Sequence, residues 1–295
     1  MPIPGPVAHF FTVDVEEHFH VSAFDGLVAR AEWDRLESRV ERNVAILLDL
    51  LSRHDTVGTF FTVGWVARKY PALVRRIADA GHEIASHTFW HRKVSRLTPD
   101  EFRADIRDCK AALEDACGRP VRGFRAPSFS IRPGGEWAFD VLLEEGHIYD
   151  SSLFPIHRPD YGYPLAPPVP HLIRRAGGDL LELPLATTAV GRARLPAAGG
   201  GYLRHFPLAL VRRALREHQA RGVPAMFYVH PWEIDPGQPR IPAPWLTRVR
   251  HYRGLARTLP RLERLLTEFR FTSVAAAYDL ESRAPTDPWP GLAVA

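Results

Sequence analysis

Short apolar runs alternate with helically spaced apolar positions along this chain. Residues Ala8-His9-Phe10-Phe11-Thr12-Val13 read as a strand leading into Asp14-Val15-Glu16. Val40, Val44, Leu47, Leu48 and Leu51 then mark a helix, and Thr59-Phe60-Phe61-Thr62-Val63 a second strand. Leu73, Val74 and Ile77 predict another helix that stops at Gly81, before a short strand at Glu83-Ile84-Ala85-Ser86. The strongest helix signal follows. Thr98-Pro99-Asp100-Glu101 is a capping box with proline at the first helical position, Phe102, Ile106, Cys109 and Leu113 form the buried stripe, and Gly118 ends it. Further strands are expected at 123–125, 180–183, 225–229 and 271–274. A helix carrying Leu208, Val211, Leu215 and His218 precedes the third of these.

Strands alternating with helices place the chain in the α/β class with a mostly parallel sheet. The number of units favours a (β/α) barrel of about seven parallel strands over an open sheet. In a barrel, chemistry gathers at the strand C-terminal ends. Asp14 and Glu16, His87 and His91, Arg125 and His230 each lie at such an end, so one mouth can collect them all. Two proline-rich stretches, 155–170 and 236–244, read as stiff surface loops and cleft walls. Residues 1–283 are expected to form a single domain, with 284–295 a flexible tail. No internal repeat is visible.

Composition narrows the class. With 45% hydrophobic and 24% charged residues among 295, the chain is globular. No apolar run approaches the roughly 20 residues that span a bilayer. The N-terminus shows no basic n-region or apolar h-region, so a cytoplasmic location is the expectation. The net charge of +4 and pI near 9.3 suggest nucleic acid at first sight. Only three lysines stand among the 38 basic residues, however, and the arginines are scattered among 34 acids, so no nucleic-acid partner is expected. Cys109 and Cys117 lie eight apart and make no metal knuckle or redox pair.

The sharpest chemical signal is Ser86-His87-Thr88-Phe89-Trp90-His91, whose histidines at i and i+4 can face one point if the segment turns as a helix. Strand alternation puts Asp14 and Glu16 on one side, where two carboxylates repel unless a cation or arginine neutralises them. Glu16 with His87 and His91 would make a two-histidine, one-carboxylate metal site. Asp14 is then free to act as a base, Arg125 to orient it, and His230 to act as an acid. A carboxylate partner is expected for His230, with Glu182 and Asp150 both candidates. Gly199-Gly200-Gly201-Tyr202 lacks the following Lys-Ser/Thr of a phosphate loop. It reads equally as a backbone approach to a sugar, with Tyr202 beside it, or as a tight loop. Trp90, Trp232 and Trp245 offer faces on which a sugar ring can stack.

These stretches resemble the polysaccharide deacetylases with the chitooligosaccharide-deacetylase homology domain. They resemble more narrowly the branch found beside exosortase-A exopolysaccharide gene clusters. The resemblance runs through TVDVEEHFHVSAF (12–24), SRVERN (38–43), TFFTVGWVA (59–67), GHEIASHTFWHR (81–92), PVRGFRAPSFSI (120–131), YDSSLFP (149–155), AGGGY (198–202) and FYVHPWEID (227–235). It implies a distorted (β/α) barrel with a family-specific part from about residue 155. It also implies a divalent metal, zinc first, with cobalt, nickel or manganese as alternatives, and hydrolysis of N-acetyl groups on amino sugars. Carried over, Glu16, His87 and His91 hold the metal, Asp14 is the base, Arg125 its orienter and His230 the acid, with backbone N–H groups near Pro127-Ser128 facing the oxyanion. The implied partner is an N-acetylated amino-sugar polymer or a lipid-linked oligosaccharide, and a homo-oligomer is compatible with it. Where such relatives carry Asp-Tyr-Phe-Gln, this chain has Glu17-His18-Phe19-His20, which brings His18 or His20 near the metal or leaves them behind it or on the surface. The Asp-x-Glu start is shared with the branch containing allantoin and cyclic-imide hydrolases. A cyclic-amide hydrolase is therefore the second expectation, and a non-catalytic carbohydrate-binding protein the third.

Overall fold

A computed structural model describes residues 7–191 and 193–282, together with Trp289, Leu292 and Val294. The tail expected from 284 onward lies largely outside the described residues.

Seven parallel strands form the frame: β1 (His9–Val15), β2 (Thr59–Thr62), β3 (Glu83–Ser86), β4 (Gly123–Phe124), β5 (Tyr149–Asp150), β7 (Gly178–Glu182) and β10 (Met226–Val229). Their order is β10-β1-β2-β3-β4-β5-β7, every neighbouring pair parallel. β6 (His171–Arg175) pairs antiparallel with β7, β8 (Thr187–Val190) pairs with β9 (Ala193–Pro196) in a separate hairpin, and β11 (Phe271–Thr272) joins the start of β1. The seven strands come round on themselves. Just past β7, Leu185 bridges Met226 of β10 in parallel, and the Ala186 N–H donates to the Met226 carbonyl at 3.1 Å. The last side of the barrel is thus a bridge, not a full ladder, which is the distortion.

The ring strands lack polar-apolar alternation because both faces are covered. All seven residues of β1 are buried. Phe10, Phe11, Phe60, Phe61 and Phe227 are at most 1% exposed. Helices α1 (Val40–Arg53), α3 (Pro71–Asp79), α4 (Pro99–Cys117), α5 (Trp137–Glu144), α7 (Leu208–Ala220) and α9 (Thr258–Glu268) supply cover, with shorter α2 (Gly64–Lys69), α6 (Gly200–His205), α8 (Trp245–Tyr252) and α10 (Val274–Tyr278) between them. The capping box of α4 forms as its sequence predicts. The Thr98 hydroxyl accepts from the Glu101 N–H at 3.2 Å, and the Glu101 carboxylate accepts from the Thr98 N–H at 2.9 Å. The helix expected around Leu73 is preceded by a separate short one, because Tyr70 adopts a non-helical conformation ahead of Pro71. The strand expected over 271–274 stops at Thr272, since Ser273 caps α10 through its hydroxyl. No helix among the described residues is long and apolar enough to cross a membrane.

Candidate active site

The ends of β1, β2, β3, β4 and β10 bring the six expected residues to one place. The histidine pair does not sit on a helical turn. It sits on a loop in which Thr88 and His91 both have positive φ (61° and 51°). The loop is tied from three sides. The Asp105 carboxylate of α4 accepts the Phe89 N–H at 2.5 Å, and the Gly64 and Trp65 N–H groups donate to the Thr88 and Phe89 carbonyls at 3.0 Å each. Gly64 is needed here, since a Cβ at that position would lie 2.5 Å from the Phe89 ring.

Glu16, His87 and His91 form a buried cluster whose ligand atoms all lie within 4.8 Å of one another. The His87 Nδ1–H donates to the Arg125 carbonyl at 2.8 Å, which leaves Nε2 bare and aimed as a ligand. Glu16 accepts the Trp232 indole N–H on Oε1 at 2.9 Å. Its Oε2 has no hydrogen-bond partner among the described residues, yet His91 Nε2 stands 2.6 Å away. Two buried acceptors so close call for a shared cation or proton. The residues present therefore fit a divalent metal. Burial acts against charge at both groups, but the mutual attraction wins, so Glu16 is held far below the usual carboxylate range and His91 is raised. Burial lowers His87 to about 4, keeping it neutral.

Asp14 and Glu16 share one side, as alternation predicts. Arg125, completely buried, donates from Nη1 to Asp14 Oδ1 at 2.6 Å and to the Thr12 hydroxyl at 2.8 Å, and its other nitrogens reach the Ser151 carbonyl and hydroxyl. Its guanidinium lies 4.0 Å over the Phe61 ring. Opposite stands His230, with Nε2 3.8 Å from Asp14 Oδ2 and 3.7 Å from Glu16 Oε1.

The carboxylate on the far side of His230 is Glu233. It accepts from the His230 Nδ1–H and from its backbone N–H, both at 3.0 Å. Glu233 is in turn gripped by Arg204 Nε at 2.7 Å, and Arg204 Nη1 donates to the carbonyls of Arg250, His251 and Arg253 near the end of α8. Burial alone would lower His230, but Glu233, Glu16 and Asp14 outweigh it and push it up to about 9. Burial would raise Glu233, and Arg204 and His230 hold it down to about 2. Glu182 and Asp150, the two expected partners of His230, make no ion pair or hydrogen bond with it. They lie beneath Arg125, where Glu182 accepts the Leu153 N–H at 3.0 Å and Asp150 accepts the Ser152 hydroxyl at 2.6 Å. Burial and the neighbouring Asp150 carboxylate raise Glu182 well above its ordinary value.

Other expectations divide. Trp232 is buried between the rings of His230 and His251, at 5.0 and 4.4 Å, so it buttresses the site and offers no stacking face. His18 and His20 are both 2% exposed, which excludes the surface role, and the His20 ring packs tilted against Trp33, centroids 4.1 Å apart. Trp90 is half-buried beside His91, Trp245 is exposed, and the Tyr202 hydroxyl bonds that of Tyr161 from the proline-rich loop. The Gly199 run serves packing: a Cβ at Gly199 (φ 120°) would lie 1.9 Å from the Tyr228 carbonyl oxygen. Pro127 is buried, and Ser128, at φ 55°, shares a hydrogen bond with the Ser22 hydroxyl at 2.7 Å. Sequence reading missed Glu233, Arg204, Ser151 and Asp105. Only Glu233 had a local signal, the His-Pro-x-Glu spacing of a capped turn.

Residues 31–133 match the polysaccharide deacetylase family, and residues 151–279 match a domain of unknown function (DUF3473). A chitooligosaccharide deacetylase of Bradyrhizobium sp. (strain ANU 289) is 36% identical over 96 residues, which is 32% of this chain and 42% of that protein. The chain thus spans well under two thirds of that relative's length. Among solved structures, a putative polysaccharide deacetylase from Mycobacterium smegmatis superposes over 99% of this chain and 97% of its own, with a TM-score of 0.64 and 22% identity. Puue allantoinase does so over 97% and 94%, with a TM-score of 0.62 and 17% identity. At those identities the two structures speak for the fold, and the sequence match to the polysaccharide deacetylase family is carried by residues 31–133, with a stretch of 96 residues similar to a chitooligosaccharide deacetylase.

Proposed function

We propose that this protein hydrolyses N-acetyl groups from amino sugars of an exopolysaccharide or its lipid-linked precursor. The observation that carries the reading is the convergence of three metal-type ligands with an arginine-clamped Asp14 and a charged His230. A divalent ion held by Glu16, His87 and His91, zinc first and cobalt, nickel or manganese otherwise, would polarise the acetyl carbonyl and lower the pKa of a water. Asp14, its Oδ1 fixed by Arg125, accepts the proton of the attacking water on Oδ2. The Ser128 backbone N–H would supply the donor that a developing oxyanion needs. His230 carries its proton on Nε2, opposite Glu233, and delivers it to the departing amine.

The test is acetate release from N-acetylglucosamine oligomers by metal-reconstituted protein, with allantoin and a cyclic imide run beside them. Chelator-sensitive acetate release supports the reading. Imide opening without acetate moves the protein to the cyclic-amide hydrolases, since the same residues serve either amide.

A further inference from the structure

A cavity of about 470 Å³ opens beside the candidate metal ligands. His91 belongs to both, and Trp33, Trp90 and His20 share the cavity wall. The charge around this cavity is one-sided. Arg30, Arg92, Lys93 and Arg96 line it against the single carboxylate of Asp25. Two of these cations are answered within the protein, Arg92 by Glu101 at 2.9 Å and Arg96 by Asp25 at 3.2 Å. Lys93 and Arg30 have no ion-pair partner among the described residues, although the Arg30 guanidinium stands 5.8 Å over the Trp90 ring.

Two buried donors just behind this wall also lack acceptors among the described residues. The Trp33 indole nitrogen can only donate, and it has no hydrogen-bond partner among the described residues. His20 accepts the Glu17 N–H on Nδ1 at 3.3 Å, which puts the ring proton on Nε2. That N–H, too, is without a partner among the described residues. Buried donors are normally paired, and leaving one unpaired is costly. A wall with four cations against one carboxylate suits a ligand that brings negative charge. A neutral sugar brings hydroxyls that give and accept alike, and it would leave Lys93 and Arg30 sharing the one Asp25 carboxylate with Arg96.

We infer that this cavity receives a sugar bearing an anionic group, carboxylate or phosphate, next to the unit whose acetyl group is cleaved. The inference rests on the deacetylase reading of the neighbouring site for the order of the units, but its test reads binding and needs no turnover.

The full chain is titrated calorimetrically at low salt with three probes. These are the neutral N-acetylglucosamine tetramer, a tetrasaccharide alternating glucuronate with N-acetylglucosamine, and uridine diphosphate N-acetylglucosamine. A charged probe should bind about tenfold tighter than the neutral tetramer, with the advantage shrinking as salt rises. Lys93→Ala and Arg30→Ala should each remove up to about fivefold of that advantage, and Lys93→Arg should retain it. Preference for the glucuronate probe identifies a carboxylate, and preference for the nucleotide sugar identifies a phosphate. Equal affinities, no binding of the charged probes, or a preference untouched by both alanine substitutions overturns the inference. Acetate release from the neutral tetramer without any charge preference removes this inference and leaves the deacetylase. Charge preference without acetate release from any probe does the reverse.

Discussion

His230 stands between two groups of carboxylates with opposite duties. Glu233 on one side accepts the Nδ1–H of the ring, and Asp14 with Glu16 on the other faces its Nε2 beside the candidate metal site. Removing Asp14 and removing His230 should therefore have different signatures. Asp14→Asn should lower acetate release by about 10²–10⁴-fold while metal content, read by elemental analysis, is kept. His87→Ala should lose the metal, and full occupancy in that variant would take His87 out of the ligand set. Arg204→Met removes one of the two cations that neutralise buried Glu233, so it should cost up to about 3–5 kcal/mol in denaturant unfolding, more than Arg204→Met plus Glu233→Gln together. At this scale the sequence was most legible where a residue type has few alternatives. Paired histidines, a lone aspartate two before a glutamate, and an arginine at a strand end all announce themselves. Arg204 did not, because what gives it a task is a contact 29 residues away in the chain, and an arginine in an arginine-rich sequence carries no mark of burial.

The elements show why the ligand loop holds still. Residues 87–91 make no helix and no strand, so their backbone groups turn to the end of β2, to α2 and to Asp105 of α4. Asp105→Ala should lower metal affinity by about tenfold or more while leaving the rest of the fold in place, to be read by metal titration alongside thermal unfolding. Equal losses in both would mean that α4 packing is what suffers. The periodicity that predicted α4 also hid Asp105, which sits between Phe102 and Ile106 and reads as one polar residue on a helix. The chain's short apolar runs marked most of the ring strands. β4 and β5 are only two residues each and carry almost no pattern, so the barrel order had to come from the fold.

Across the whole molecule, several histidines are buried neutral, among them His9, His82 and His147. Burial lowers His147 to about 3, with the nearby Lys110 adding to the effect. A histidine in the unfolded chain titrates near 6.5, so below that pH the unfolded state takes up a proton that the folded state refuses. Stability from this group is therefore intact above 6.5 and is lost as pH falls toward 3, by up to about 1.4 kcal/mol per pH unit. The stability difference between His147→Leu and the parent should shift in favour of the variant by that amount between pH 6.5 and pH 5. A pH-independent difference in denaturant midpoints would place the proton elsewhere.

The bridge at Leu185 and Met226 gives the barrel a seam. Ladders of four residue pairs hold β10 to β1, β1 to β2 and β2 to β3, whereas the other edge of β10 is met by two isolated bridges, Leu185 to Met226 and Gly199 to Tyr228. Amide hydrogen exchange should therefore begin at Ala186, ahead of the interior amides of β1 and β2. Asp14, Glu16, His87, His91 and His230 all ride on the four strands that stay laddered together. The wall can breathe on that side while the reacting groups keep their spacing, and a polymer too bulky for a sealed cylinder would have a yielding edge to press against.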